Sequence, residues 1–113
     1  MWAERHREKA GILTALKSQG LLPAGVSEDP AQVPMMTTEL MEGIHQYLAR
    51  TPAWIVLANL DDVIGARVQT NLPGTVDQHP NWCRKLSLPV EELAQDSRFE
   101  RLAALLRLTR PLV

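Results

Sequence analysis

Trp54-Ile55-Val56-Leu57-Ala58-Asn59-Leu60 is the stretch on which the fold turns. It is apolar at all but Asn59, partly β-branched, and free of polar and apolar alternation, the pattern of a strand covered on both faces in a parallel sheet. Pro52 before it and Gly65 soon after bound the run at strand length, which weighs against a buried helix. Such a strand must hydrogen-bond on both sides, and no second convincing strand can be read elsewhere in the chain. Three resolutions stand open. The chain is a piece of a larger sheet protein, or it associates to complete the sheet, or the run is a buried helix in a small helical domain.

On either side of the run the pattern is helical. Residues 3–19 contain no proline and only Gly11 as a breaker, with Ala10, Leu13, Leu16 and Lys17 at helical spacing and Gly20 placed to end the helix. Residues 21–36 carry Pro23, Gly25, Pro30 and Pro34 with little periodic apolar content, and read as a flexible loop. A second helix is expected from Thr38, capped by that hydroxyl, with Leu40, Met41, Ile44, Tyr47 and Leu48 on its buried face and Thr51-Pro52 as its stop. After an irregular stretch over 68–88, Pro89 opens a short helix to Gln95. Ser97 and Glu100 form a capping-box pattern before a last helix over 98–108 that would bury Phe99, Leu102, Ala103, Leu105 and Leu106.

With 113 residues the chain has room for one small domain or part of one, so residues 1–113 are read as a single unit. Twelve basic and thirteen acidic side chains give a net charge of -1, no electrostatic reason to expect nucleic acid or an anionic membrane. The run 53–58 falls far short of the roughly 20 apolar residues that span a bilayer. The single Cys83 cannot form an internal disulfide, and Arg5, Arg7, Glu8 and Lys9 interrupt any signal-like opening, so a reducing, cytoplasmic setting is expected.

Few constellations offer chemistry. Asp61 and Asp62 follow the expected strand, where barrel enzymes place catalytic groups, but adjacent residues point in different directions and suit a two-carboxylate glycosidase poorly. A turn-capping role for one of them around Val63 to Gly65, with the other solvated, serves better. His79 and Cys83 match no paired metal-ligand spacing, so no metal is expected. His6 and His45 read as surface histidines among polar neighbours. The segment Asn71-Leu72-Pro73-Gly74-Thr75 with His79-Pro80-Asn81-Trp82 combines amides, a rigid turn and an indole, the parts a sugar site uses, although an architectural loop can use the same parts.

The string NLPGTVDQHPNWCRKL over 71–86 resembles the NLPGT and HPNWRRRL stretch of bacterial 4-alpha-glucanotransferases, the amylomaltase or disproportionating enzyme family. Leu60-Asp61-Asp62-Val63-Ile64-Gly65 is similar to that family's LEDVLG segment, and Arg7, Leu13, Leu16 and Gly20 to Leu22 match its preceding helix. Cys83 stands where arginine is expected, and Asp61 where glutamate is usual. The resemblance implies an α/β fold: the C-terminal fragment of a (β/α)8 barrel, mostly helical with about one buried parallel strand. It implies an enzyme that moves segments of alpha-1,4-glucan by retaining double displacement, without cofactor. The family's catalytic carboxylates map onto no residue here, so catalytic residues are none and the chain alone is expected to be inactive. Asn71, with Pro73 and Gly74 in the same loop, is the implied substrate-binding set. An alpha-1,4-glucan or maltooligosaccharide is the implied ligand once the rest of the barrel is supplied, by a complementary chain or by self-association. A small helical protein-interaction module derived from the family is the alternative.

Overall fold

The computed structural model describes residues 1–111, and those residues form helices joined by irregular segments, with no strand. Helix α1 spans Trp2–Ser18, α2 Thr38–Ala49, α3 Leu60–Val63, α4 Val90–Leu93 and α5 Ser97–Thr109, with a single 3-10 turn at Pro30–Gln32.

Helix α2 is the centre of the packing because it is apolar on two sides. Leu40 joins Leu13 and Leu16 of α1 with Leu21 and Val33, while Met41, the next residue, packs with Val63 of α3 and Leu102 of α5. Leu13 and Leu16 are each 1% exposed, so the α1 side is the drier of the two clusters. The close fit has a backbone cause at Gly43: a Cβ there would lie 2.6 Å from the Leu21 carbonyl oxygen. Gly20, at φ +67, turns the chain off α1 toward that contact, a left-handed conformation that favours glycine.

Polar side chains fasten the connections. Lys9 Nζ donates to the carbonyls of Pro30 and Val33, pinning the segment after α1. Arg110 donates to the Ala49 carbonyl at 2.8 Å and the Thr51 carbonyl at 2.7 Å, and also to Ala53, which ties the end of α2 to the chain leaving it. Arg101 holds Glu42, a buried carboxylate of α2, at 2.9 Å.

The α/β reading with a buried parallel strand is overturned. Residues 53–59 are irregular, and Trp54 is 98% exposed, with Ile55 and Leu57 similarly open. The run ends early because the Asn59 side chain accepts the Asp61 backbone amide at 3.1 Å and starts α3 at Leu60. No ladder forms since no neighbouring strand exists among the described residues to accept its amides. The buried-helix rival fails too, since the run is neither helical nor buried.

Smaller corrections have local causes. Thr37 rather than Thr38 caps α2, accepting the Leu40 amide at 3.2 Å. Asp96 caps α5, accepting the Arg98 amide at 2.9 Å, in place of the expected Ser97 and Glu100 box. Tyr47 and Leu48 are exposed, and Glu42, His45 and Ala49 take the buried positions of α2. His45 is 6% exposed and donates from Nδ1 to the Met41 carbonyl at 2.9 Å, so it is not a surface histidine. Of the five residues expected inside α5 only Leu102 is fully buried, with Phe99 and Leu106 half-buried against it.

Candidate functional site

The candidate site is built on the loop that follows α3. Asp61, in the first turn of that helix, lies 2.5 Å from Arg84 Nη2 and accepts the Thr70 hydroxyl at 3.2 Å. Arg84 Nη2 also donates to the Thr70 hydroxyl at 3.2 Å, so three side chains from distant positions close one triangle. The Arg84 guanidinium holds the Asp61 carboxyl below the ordinary carboxylate range, against a smaller opposing effect of burial. Arg84 Nε is buried without a partner among the described residues.

Between these anchors the chain folds back on itself by hydrogen bonds that are mostly not from a regular ladder. The Trp82 amide donates to the Thr70 carbonyl at 2.8 Å, and His79 Nε2 donates to the Gln69 carbonyl at 2.9 Å. Leu72-Pro73-Gly74-Thr75 forms the expected tight turn: the Thr75 amide donates to the Leu72 carbonyl at 3.2 Å and Gly74 has φ +81. Proline followed by a left-handed glycine is the residue order a type II turn requires. Asn81 fills the inside of this turn, accepting the Leu72 amide at 2.8 Å and donating to the Thr75 carbonyl at 3.1 Å and hydroxyl at 3.0 Å.

Asn71 is half-buried and lines a cleft of about 370 Å³ with Asn59, Asp61, Asp62, Arg67, Gln69 and Thr70. Its carboxamide makes no hydrogen bond among the described residues, so neither its donor nor its acceptor is taken up within them. Pro73 and Gly74 are exposed at the turn and lie outside the cleft wall. The structure thus joins Asn71 to Asp61 and Asp62, and it separates Pro73 and Gly74 from them.

Trp82 is 76% exposed, so it does not serve as packing within this chain. Its φ of +61 is left-handed for a bulky residue, a conformation held by the bond from its amide to Thr70. His79 and Cys83 do not converge: the imidazole bonds Gln69 and the thiol donates to the Asn81 carbonyl at 3.3 Å. A larger cavity of about 550 Å³ shares Asp62, Ala66 and Arg67 with the Asn71 cleft and is otherwise lined by Met35, Met36, Met41, Ile44 and His45 among others. Sequence reasoning missed Asn81 as the internal partner of the turn. The one available signal was an amide flanked by Pro80 and Trp82, where a short polar side chain can replace a backbone ladder.

A family profile described as 4-alpha-glucanotransferase matches residues 1–90, which include α1, α2, α3 and the whole candidate loop. The chain belongs to the 4-alpha-glucanotransferase family. Among curated relatives, the 4-alpha-glucanotransferase of Mycobacterium tuberculosis is 31% identical over 106 residues, covering 88% of this chain and 14% of the relative. That of Haemophilus influenzae is 30% identical over 87 residues, covering 77% of this chain and 12% of the relative. The chain therefore spans about one seventh of the length of the family members it matches. No solved structure matches it.

Proposed function

We propose that this chain supplies a sugar-contacting surface of a 4-alpha-glucanotransferase, with Asn71 as its principal contact, and that it has no transferase activity by itself. Support comes from one observation: Asn71, whose carboxamide has no hydrogen-bond partner among the described residues, lines a polar cleft together with Asp61 and Asp62, within a family whose named activity is glucan transfer. A carboxamide that both donates and accepts is well matched to sugar hydroxyls, which do the same. Pro73 and Gly74 would act on the same ligand from the turn, by shaping the loop that carries Asn71.

Retaining glycosyl transfer needs a nucleophile and a proton donor, two carboxyl groups about 5 Å apart across the scissile bond. Asp61 is unsuited to proton donation because the paired Arg84 keeps it ionised. Asp62 beside it on the first turn of α3 cannot complete a pair across a sugar when its neighbour is so engaged. The nucleophile and acid are therefore assigned to polypeptide of a different sequence, which a complementary chain would bring. The measurement is incubation of the pure chain with maltotriose. No shorter or longer maltodextrins should appear, and sustained disproportionation would refute the assignment.

A second reading is favoured by a different observation, the exposed Trp54, Ile55 and Leu57 on a helical body that packs without them. In it the chain is an interaction module whose apolar run meets a protein partner, since such patches mark contact surfaces. Sedimentation of the chain before and after Trp54→Ser and Leu57→Ser separates the two readings. Loss of association with unchanged maltoheptaose binding supports interaction through the run in addition to the sugar site, whereas association without any sugar binding leaves the interaction module alone.

A further inference from the structure

We propose that Asn81 is a positioning residue that sets the orientation of Asn71. The inference deepens the sugar-contact reading of Asn71 and rests on it for its functional half. Loop 71–75 has little else to hold it: it belongs to no helix, and Leu72, Pro73 and Gly74 are exposed. Its own turn bonds close Leu72 onto Thr75 but do not attach the turn to the body.

Asn81 provides that attachment from both sides. Its Oδ1 accepts the Leu72 amide at 2.8 Å, one residue from Asn71, and its Nδ2 donates to the Thr75 carbonyl at 3.1 Å and hydroxyl at 3.0 Å. The backbone beneath Asn81 is fixed in turn, because the Asn81 amide donates to the His79 carbonyl and the Trp82 amide to the Thr70 carbonyl, both at 2.8 Å. A single carboxamide thus bridges the start and the end of the turn, while the amide of the next residue, Trp82, is bonded to the residue preceding Asn71. Only a side chain with an acceptor and a donor on one short stem can make this set of bonds. Aspartate keeps the acceptor and loses both donations, and alanine loses all three bonds.

The test uses the whole chain labelled with nitrogen-15, comparing the parent with Asn81→Ala, Asn81→Asp and Asn71→Ala. In Asn81→Ala the Leu72 amide should exchange about tenfold faster and the Asn71 side-chain amide signals should move to random-coil positions. The α1, α2 and α5 amides should keep their protection. In Asn81→Asp the Leu72 amide should stay protected while the Thr75 hydroxyl and carbonyl lose the donor that Asn81 supplied. This split is one that general destabilisation would not produce, and it decides the question even if the alanine variant fails to fold. Titration with maltoheptaose should show affinity falling about tenfold in Asn81→Ala, comparable to the loss in Asn71→Ala. Unchanged Leu72 exchange or unchanged Asn71 side-chain signals in Asn81→Ala overturn the positioning role. Full affinity in Asn81→Ala with reduced affinity in Asn71→Ala overturns it as well. If Asn71→Ala binds like the parent, or the parent binds no maltoheptaose, the sugar reading of Asn71 falls, and the exchange data still decide whether Asn81 orients that side chain.

Discussion

The two parts of this molecule are held together by different forces. Helices α1, α2 and α5 bury leucines, a methionine and an aromatic ring in two clusters, and their order comes from removing apolar surface from water. The segment over 53–89 buries Val63 and Ile64 near its middle and otherwise depends on hydrogen bonds among Asp61, Thr70, Arg84, Asn81 and the backbone. Hydrogen bonds at half-exposed positions are each worth about 1 kcal/mol net, so the loop region can open locally while the helical body persists. The candidate sugar contact, Asn71, lies in the weaker part, and the stronger part serves to carry it.

The contrast is broken most severely from the helical side. Leu13→Ala removes a side chain from the driest point of the core, and should cost about 2–5 kcal/mol in urea or thermal unfolding. Gly43→Ala forces a methyl against the Leu21 carbonyl, and α1 and α2 must separate to admit it. The expected loss is about 1–3 kcal/mol by the same measurement, with the loop bonds unaffected at first.

From the loop side the effects should be smaller and local. Arg84→Leu removes the partner of Asp61, so the Trp82 amide, bonded to the Thr70 carbonyl, should lose exchange protection while the helical melting temperature changes little. The sign with pH follows from the lowered Asp61 value: its contribution is complete above the unfolded carboxyl value near 4 and is lost as pH falls through the folded one. Acidification should therefore release the loop early, seen as faster Trp82 amide exchange relative to α2.

Asp96 gives the helical counterpart of that titration. Hydrogen bonds from Arg98 hold its carboxyl down to about 2, so the α5 cap is fully engaged above about 4 and weakens only as pH approaches 2. Circular dichroism should show α5 fraying in that window and not above it. Least affected should be Trp54→Ser, within about 0.5 kcal/mol of the parent, since that indole contacts almost nothing. A large loss of stability in that variant would mean the run is packed after all.

The helices were legible because their signals are local. Leu13 and Leu16 carry a helical period, Leu40, Met41 and Ile44 another, and Pro73-Gly74 announces a turn from backbone preference alone. Within the site, the resemblance pointed to Asn71, and the structure places that residue along a cleft with Asp61 and Asp62. Asn81 was not, because its three bonds depend on a loop closure that no spacing encodes. His45 was misjudged for a related reason: polar neighbours in sequence said nothing of the Met41 carbonyl and the side chains around it.

By itself the sequence determined the family, since a string such as NLPGTVDQHPNW carries turn chemistry and amide placement in consecutive residues, and it determined the helical segments through period and breakers. Only the tertiary structure decided the fate of Trp54 to Leu60. An apolar run records that a segment prefers to be covered, but a strand exists only where a second backbone accepts its amides, and that partner is a matter of what lies alongside in space.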